Sequence, residues 1–394
     1  MDHIVEKIPP WKKWNLYTRP TFFKDNTSIQ IENNGWDENH NTTVDALKEK
    51  INVYDKTEIW DLAKRITNQY ELVYTYSTRL NLPPSSCMYN PLSRSFYKMV
   101  EILYLLNFFQ NHKDSKLRSL HICEGPGGFI EAFLYGAQDN RRNVGKCYGM
   151  TLKSTNVFIP GWRRTQNFLK RHKNVTLCYG ADETGDVYVP ENQSHTVEFI
   201  KNDGGKVQFA TADGGFDFSE DFYGQEKNML RLLVCSVLIM FQCLAENGDC
   251  VIKIFDINGQ ATRDFIALCA SCFRKWTLYK PATSRPSNSE WYFVGQEFIS
   301  LHSNQVVIPE LLKLRDVLKE TNNISKILTV NPLNDYLLDL QEKHTQHQIE
   351  TLQHVLSFCE STYDETSLQA LWEKYRKYSV QWCNTFRMPT NYKL

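Results

Sequence analysis

Four charged residues occupy positions from which they could act together on a bound substrate. Lys253 directly follows the apolar run Cys250–Ile252, and Asp213 precedes two glycines, while Lys98 and Glu290 lie in polar segments upstream and downstream. A lysine has an ordinary pKa of about 10.4, which is too high for a base at neutral pH, but burial and a second ammonium group lower it. Two lysines and two carboxylates, each at an edge of a predicted sheet, therefore make a candidate active site.

A glycine-rich turn, Glu124-Gly125-Pro126-Gly127-Gly128-Phe129, separates a strand-like apolar run from a helix-like pattern. Its glycines let a ligand approach the backbone closely, with a helix N-terminus behind it. The turn fails the dinucleotide fingerprint, because Ile130 takes the place of the third glycine, and it lacks the Gly-Lys-Ser/Thr of a P-loop. Without a phosphate-clamping lysine, it suits a cofactor with a ribose and an amino-acid tail, such as S-adenosylmethionine. The alternative is that the glycines form only a tight strand-to-helix turn.

Strands and helices alternate around these residues. Strands are predicted at Arg118–Cys123, Lys146–Met150, Val175–Tyr179, Val207–Thr211, Cys250–Phe255, Trp276–Tyr279 and Trp291–Gly295. Helices are predicted at Phe129–Gly136, Phe158–Arg171, Asn228–Ala245 and Gln260–Phe273. This alternation is typical of an α/β fold whose mostly parallel sheet is covered by helices on both faces. Ligands bind at the carboxyl ends of the strands in such sheets, which is where Lys253 and Asp213 fall.

The 394 residues divide into three regions. Residues 1–84 form a polar and aromatic N-terminal extension, with predicted helices at Tyr54–Tyr70 and, just beyond it, Ser95–Phe109. Residues 85–300 carry the alternating pattern, and residues 301–394 are predicted to be wholly helical. The C-terminal helices are expected at Leu311–Lys319, Tyr336–Cys359 and Ser367–Trp382.

Composition narrows the class of protein. The formal net charge is zero, which argues against a long non-specific nucleic-acid interface but is compatible with recognition of a short end. The eleven cysteines are scattered and no secretory signal opens the chain, so we expect reduced thiols in an intracellular protein. The pair Cys269 and Cys272 lies in an apolar helical pattern and is expected to pack in the core. The longest apolar stretch, residues 230–245, is too short to span a membrane.

The motifs, in their order along the chain, resemble those of FtsJ/RrmJ-type ribose 2′-O-methyltransferases. The resemblance runs from residue 93 to about 296, and the matching segments are Gly125–Phe129, Gly149–Lys153, Gly185–Asp186 with Pro190–Asn192, Ala212–Phe216, Lys253 and Ser284–Glu290. It implies a Rossmann-like class I fold with a seven-stranded sheet and transfer of a methyl group from S-adenosylmethionine to a ribose 2′-oxygen. No metal is implied, because no His, Cys or Asp spacing suggests a metal site and the reaction needs none.

Within this family the chain is most similar to the cap-specific mRNA enzymes of the cap-1 type, which act on the first transcribed nucleotide of 5′-capped RNA. Two other activities stay open: methylation of the second nucleotide or of structured RNA, and RNA binding by an inactive scaffold of the same fold. Another capping enzyme or a polymerase is a candidate partner for the C-terminal helices. A cationic cap guanine favours aromatic stacking, for which Trp11, Trp14 and Tyr17 are candidates.

The resemblance also implies roles for individual residues. The family's tetrad corresponds to Lys98, Asp213, Lys253 and Glu290, with Lys253 as the base or the hydroxyl-orienting group. The implied cofactor contacts are Gly125, Pro126, Gly127, Gly128, Thr151, Leu152, Asp186 and Asp213, and the implied substrate contacts are Asn288, Gln225, Glu226 and Arg79. Two positions depart from the family: His121 stands where bacterial relatives carry Asp, and Glu124 replaces a small residue.

Overall fold

The structure, a computed structural model, describes residues 9–20, 29–36, 42–75, 82–113, 116–156, 159, 161–215, 225–361 and 363–392. Its strands are β1 (Tyr17–Thr18), β2 (Ile29–Glu32), β3 (Leu117–Ile122), β4 (Val144–Met150), β5 (Val175–Leu177), β6 (Val207–Ala212), β7 (Leu244–Phe255), β8 (Phe273–Tyr279), β9 (Glu290–Phe298) and β10 (Lys326–Leu328). Its helices are α1 (Thr42–Asn52), α2 (Glu58–Ile66), α3 (Ser95–Leu105), α4 (Phe108–Asn111), α5 (Gly128–Asp139), α6 (Gln166–Arg171), α7 (Pro190–Asn202), α8 (Gln225–Cys243), α9 (Gln260–Ser271), α10 (Ser300–His302), α11 (Ile308–Glu320), α12 (Asn334–Glu360) and α13 (Glu365–Thr385).

Eight strands form one sheet in the order β1-β8-β9-β7-β6-β3-β4-β5. The strands from β7 to β5 in this order are parallel, whereas β9 is antiparallel to both β7 and β8. The chain leaves β3 toward β4 and β5 and then crosses back to β6, so the strand order reverses between β3 and β6. Open α/β sheets bind ligands at such a switch point, outside the carboxyl ends of the strands.

The expected α/β fold is confirmed, with one more strand than the expected seven. All seven predicted strands are present, and the eighth is β1, whose two residues pair with Trp276 and Lys275 of β8. Two residues are too few to show an alternating pattern, so the sequence gives no signal for this strand. Its pairing covers backbone groups that would otherwise line the edge of the sheet.

Several helix predictions need correction. The helix predicted at Phe158–Arg171 begins only at Gln166, after a 3-10 turn at Trp162–Arg164. Helix α7 was not predicted, although Pro190 at its first position is a helix-start signal. The segment Ser95–Phe109 is divided because Asn107 adopts a left-handed φ of 53° between α3 and α4. The C-terminal region is not wholly helical, since β10 pairs with β2.

The core has three parts. On one face of the sheet, alternate strand residues pack against α7, α8 and α9, and on the other face they pack against α3 and α5. Both Cys269 and Cys272 are buried, as expected. A third cluster belongs to the extensions alone, where Val44 and Leu47 of α1 join Leu352 and Val355 of α12. No described helix is long and apolar enough to cross a membrane.

Candidate active site

Strand pairing places Asp213 beside Lys253. Ala212 pairs with Ile252 in the parallel strands β6 and β7, so Asp213, directly after the end of β6, lies beside Lys253 within β7. Lys253 Nζ donates a hydrogen bond to the main-chain oxygen of Asp213 at 2.9 Å and lies 3.1 Å from its carboxylate Oδ1. The carboxylate contact is a charge pair without hydrogen-bond alignment, and Oδ1 has no hydrogen-bond donor among the described residues.

Lys98 and Glu290 form the second pair. Lys98 lies on α3, Glu290 opens β9, and the lysine Nζ lies 2.6 Å and 2.8 Å from the two carboxylate oxygens. Ser284 Oγ donates a further hydrogen bond of 2.8 Å to Glu290 Oε1. Both side chains of the pair are nearly buried, with 15% and 9% exposed. Water screens such a pair far less than one on the surface, so the attraction between the two charges is stronger.

The two pairs meet around Tyr292. Lys253 stands opposite Tyr292 in the antiparallel pairing of β7 and β9, and Tyr292 lies on the same face of β9 as Glu290. Lys98 Nζ lies 5.9 Å from the centre of the Tyr292 ring. The charges of one pair act on the other: the Glu290 carboxylate contributes to raising the pKa of Lys253, and the Lys98 ammonium group opposes the rise in the pKa of Asp213 that burial causes. The structure therefore brings the four predicted residues together.

The protonation of the tetrad differs from the expectation in one respect. Burial lowers the pKa of Lys253, but Asp213 and Glu290 outweigh burial and leave its pKa above the ordinary value of lysine. The expected lowering is therefore wrong, and Lys253 is an ammonium ion at neutral pH. Burial raises the pKa of Asp213 by more than the lysines lower it. For Glu290, burial is outweighed by Lys98 and Lys253, which bring its pKa to about 2.

Sequence reasoning missed a third partly buried lysine. Lys280 follows β8, and its Nζ donates to the main-chain oxygen and to Oδ1 of Asn288 at 2.8 Å and 2.7 Å, and to the main-chain oxygen of Glu290 at 2.9 Å. Burial lowers the pKa of Lys280 to about 7. The available signal was the one that identified Lys253, a lysine directly after an apolar run. Tyr292 also carried a signal, since it lies two positions after Glu290 in a strand.

The glycine turn lies against the start of α3. Gly127 has a φ of 108°, and a Cβ atom on Gly128 would stand 2.2 Å from the Oγ atoms of both Ser93 and Ser95. The turn is also held from the other side, where Thr165 Oγ1 donates to the main-chain oxygen of Pro126 at 2.8 Å. Only glycine leaves room for this approach. The turn that opens α5 at the end of β3 is thus fixed beside the helix that carries Lys98.

Glu124 tests whether this turn fits the expected cofactor. Its carboxyl group is buried, Oε1 accepts a 2.5 Å hydrogen bond from the main-chain nitrogen of Phe129, and Oε2 has no partner among the described residues. Burial and the neighbouring Asp213 raise its pKa well above the usual value. A cationic ligand bound here would stabilise the charged forms of the Glu124 and Asp213 carboxyl groups. S-Adenosylmethionine carries an ammonium and a sulfonium group, so these residues fit it.

The predicted ribose and adenine contacts come from two loops that touch. A Cβ atom on Gly185 would stand 2.1 Å from the main-chain oxygen of Thr151, and Lys153 donates from its main-chain nitrogen to Thr184 at 2.7 Å. This approach places Asp186, after β5, near Thr151 and Leu152, after β4. Leu152 is 40% exposed, whereas Thr151 is buried. The two loops lie on the opposite side of the glycine turn from the tetrad strand β7.

The predicted substrate residues have different surroundings. Asn288 is half-buried and held by Lys280, as described above. Glu226 is buried, and its carboxylate accepts hydrogen bonds from the main-chain nitrogens of Asn258 and Gly259 at 3.1 Å and 2.9 Å, which anchors the loop before α9. Gln225 opens α8 and is half-buried. Arg79 lies outside the described residues.

The N-terminal aromatic residues are mostly engaged in packing. Trp11 is buried against Tyr70 and Phe386, with ring centres 5.3 Å away from each. Trp14 packs edge-on against Tyr279 at 5.0 Å. Of the three proposed stacking residues, Tyr17 is the one with a substantial exposed fraction, 36%. These contacts do not form a continuous stacking platform.

Comparison with known proteins assigns the family. The profile of the FtsJ-like methyltransferases matches residues 91–298, just over half of the chain. The chain belongs to this family. The match contains the tetrad, the glycine turn, and every predicted cofactor and substrate residue except Arg79.

Curated relatives of the methyltransferase carry the name cap-specific mRNA (nucleoside-2′-O-)-methyltransferase 1. The protein from Mus musculus is 29% identical over 299 residues, which cover 69% of this chain and 34% of that one. The protein from Drosophila melanogaster is 28% identical over 293 residues, covering 68% and 36%. The chain thus spans about a third of the length of these relatives.

Among solved structures, an rRNA methylase from Streptococcus thermophilus is 13% identical, with a TM-score of 0.30, and the match covers 50% of this chain and 96% of that one. At that score the similarity adds nothing to the topology described above.

Proposed function

We propose that this methyltransferase transfers a methyl group from S-adenosylmethionine to the ribose 2′-oxygen of the first transcribed nucleotide of 5′-capped mRNA. The observation that carries the proposal is the convergence of two lysine–carboxylate pairs, Lys253 with Asp213 and Lys98 with Glu290, beside the glycine turn. The names of the curated relatives support capped mRNA as the substrate.

The protein's part in the reaction follows from the chemistry of the hydroxyl group. When bound, S-adenosylmethionine supplies a methyl group that its sulfonium already activates. A ribose 2′-hydroxyl is a poor acid and a poor nucleophile, so the site must orient its oxygen and accept its proton. In our proposal the Lys253 ammonium donates a hydrogen bond to the 2′-oxygen. Asp213 Oδ1, 3.1 Å from Lys253 Nζ, accepts the hydroxyl hydrogen, and the raised pKa of this carboxyl makes it a stronger base.

Glu290 and Lys98 support this arrangement electrostatically. With its pKa held near 2, Glu290 is a carboxylate at any working pH and helps to keep Lys253 charged. Lys98 fixes the Glu290 carboxylate through both oxygens. The glycine turn and Glu124 would hold the methionine end of the cofactor, and Thr151, Leu152 and Asp186 would hold the adenosine end.

The RNA side of the proposal rests on fewer contacts. Lys280 occupies Oδ1 of Asn288, so Asn288 would meet the substrate through its amide nitrogen. Gln225 is the remaining described candidate, since Glu226 is committed to the loop before α9. We also propose that the protein acts inside the cell, with capped RNA as its partner and another capping enzyme or a polymerase as a protein partner for the C-terminal helices.

The proposal is tested by methyl transfer from labelled S-adenosylmethionine to one short RNA in three forms: methylguanosine-capped, guanosine-capped and uncapped. We expect labelling of capped RNA only. Lys319→Ala, which changes an exposed residue of α11, serves as a control and should label RNA like the unaltered protein. Equal labelling of uncapped RNA would show a general 2′-O-methyltransferase without cap specificity. No methyl transfer despite cofactor binding would favour an inactive RNA-binding scaffold of the same fold.

A further inference from the structure

A group of arginines next to the tetrad has no part in the reaction described above. Glu71, in the 3-10 turn Glu71–Val73, is fully buried, and its carboxylate accepts hydrogen bonds from three guanidinium groups. Arg94 donates at 2.7 Å and 3.1 Å, Arg285 at 2.8 Å and 3.3 Å, and Arg65 at 3.2 Å. We call these four side chains the arginine cluster.

The arginine cluster carries surplus positive charge. Burial raises the pKa of Glu71, but Arg94 and Arg285 outweigh burial and hold the pKa below its ordinary value, so one negative charge faces three positive ones. Asp61 lies 3.9 Å from Arg65 at the rim, but it is itself paired with Lys64. Within the described part of the chain, two positive charges therefore remain uncompensated in a partly buried place, where they are screened less than on an open surface. Such a place attracts an anion.

The cluster also keeps hydrogen-bond donors available. The side chains of Arg94 and Arg285 are 29% and 26% exposed, against 11% for Arg65. Glu71 engages Nε and Nη2 of Arg285, while Nη1 makes no hydrogen bond to any described residue. Arg94 is further fixed by the main-chain oxygen of Thr283 at 3.2 Å. Both Nη atoms of Arg94 are thus engaged, since Nη1 also donates to the main-chain oxygen of Tyr74 at 3.4 Å, whereas Arg285 keeps Nη1 for the oxygens of a phosphate group.

The position of the cluster relates it to the reacting ribose. Arg94 precedes α3 and lies one helical turn, about 6 Å along the axis, before Lys98. Arg285 lies in the loop that ends at Glu290, the partner of Lys98. In RNA, two ring carbons and the 3′-oxygen are all that separate a ribose 2′-oxygen from the next phosphorus atom. A phosphate bonded to the reacting ribose stays close to the tetrad, and Arg94 and Arg285 are the members of the cluster nearest to the tetrad along the chain.

We propose that the arginine cluster binds the RNA phosphate that flanks the ribose to be methylated. The inference rests on the proposed function for its substrate class, and it adds a binding site that the N-terminal extension helps to build. Arg65 and Glu71 lie outside the residues matched by the family profile, whereas Arg94 and Arg285 lie within them. Glu71 acts as a positioning residue that holds the two exposed guanidinium groups toward the phosphate.

The test measures binding of short capped RNAs by fluorescence anisotropy, with S-adenosylhomocysteine present so that no transfer occurs. Each RNA carries one uncharged methylphosphonate linkage, placed at a different position in turn. For the unaltered protein, we expect neutralisation of the linkage beside the first nucleotide to weaken binding about tenfold, and other positions to have smaller effects. Arg285→Ala should weaken binding of the native RNA by a similar factor and should abolish the sensitivity to that one linkage.

The controls separate this proposal from a structural role and from the proposed function. Arg274→Ala, a half-exposed arginine of β8 that pairs with Glu246 and Glu297, should keep the sensitivity to the linkage. Arg285→Lys keeps the positive charge but lacks the planar set of guanidinium donors, and it should bind RNA more tightly than Arg285→Ala but less tightly than the unaltered protein. The phosphate site would be overturned, even where capped RNA is methylated, if the affinity of the unaltered protein did not depend on the position of the methylphosphonate. It would also be overturned if Arg285→Ala were as sensitive as the unaltered protein to the linkage beside the first nucleotide. Failure of the unaltered protein to bind any RNA would instead overturn the proposed function and this inference together.

Discussion

Lys98 and Glu290 are 192 positions apart in the chain, yet the lysine Nζ lies within 2.8 Å of both carboxylate oxygens. The pair joins α3, at the start of the matched region, to β9, near its end. Because both side chains are nearly buried, each depends on the other for compensation of its charge. The pair also stands beside Lys253, whose charge Glu290 helps to maintain.

The first prediction concerns this pair. Glu290→Gln preserves the shape of the side chain but removes its charge, which leaves Lys98 without its counter-ion and Lys253 with a single carboxylate neighbour in the tetrad. We expect kcat to fall about 100-fold or more, with cofactor affinity changed much less. Steady-state methylation and calorimetric titration with S-adenosylhomocysteine measure the two effects. Glu310→Gln, which removes an α11 carboxylate paired with Lys313, is the matched control, and a kcat within threefold of normal for Glu290→Gln would contradict the prediction.

A second prediction concerns the pH dependence of methylation. Since Asp213 and Glu290 raise the pKa of Lys253, the ammonium form dominates across the neutral and mildly alkaline range. If this form orients the hydroxyl, log(kcat/KM) should be flat from about pH 7 to about pH 9. Activity should fall in acid as Asp213 becomes protonated, at a pH above the ordinary aspartate range because burial raises that pKa. Glu290, with a pKa of about 2, should not contribute to this loss. A tenfold rise in rate per pH unit through the alkaline range would instead show that Lys253 must lose its proton and act as the base.

The third prediction concerns the glycine turn. In Gly128→Ala, the new Cβ atom would stand 2.2 Å from the Oγ atoms of Ser93 and Ser95, so the turn or the start of α3 must move. We expect the dissociation constant for S-adenosylhomocysteine to rise at least about tenfold, by isothermal titration calorimetry. Gly161→Ala places its Cβ atom in open space and is the matched control. Equal cofactor affinity in both variants would show that the turn does not form the cofactor site.

A fourth prediction concerns the C-terminal extension. Trp382 of α13 donates a 2.7 Å hydrogen bond from Nε1 to Glu101 Oε2, and Glu101 is a fully buried carboxyl group on α3. Trp382→Phe removes this donor from a group whose pKa burial already raises to about 7. We expect the free energy of unfolding to fall by about 2 to 4 kcal/mol, from lost packing together with the unsatisfied carboxyl group, measured by urea denaturation.

Trp372→Phe is the comparison for that experiment. Trp372 is also buried on α13, but it packs in the cluster formed by the two extensions, and its indole makes no hydrogen bond within the described part of the chain. Trp372→Phe should lower the free energy of unfolding by less than Trp382→Phe does, because it removes the same side-chain volume but no hydrogen bond. The reverse order of stabilities would mean that the bond to Glu101 does not tie the extension to α3.

The sequence predicted the site best where strands end. Asp213 directly follows β6, and Lys253 directly follows the apolar run Cys250–Ile252 near the carboxyl end of β7, so the parallel pairing of the two strands brings them together. The pairing of Lys98 with Glu290 came from family resemblance, since nothing local to either residue indicates a partner 192 positions away.

What the sequence did not reveal depends on contacts between distant segments. The environment of Lys253 was predicted with the wrong sign, because the direction of its pKa depends on how close two carboxylates lie after folding. Glu226 was expected to face the substrate, but the loop before α9 buries its carboxylate. The arginine cluster joins Glu71 to Arg285, 214 positions later, and no periodicity or motif indicates such a meeting.

The most direct test of the central claim is to locate the methyl group that the protein adds. A methylguanosine-capped RNA is incubated with labelled S-adenosylmethionine and digested to nucleosides, and Lys253→Ala is analysed in parallel with the unaltered protein. The account predicts label on the ribose 2′-oxygen of the first transcribed nucleotide, and loss of that label in the variant while it still binds S-adenosylhomocysteine. Label on a base, on another nucleotide, or undiminished in Lys253→Ala would contradict it.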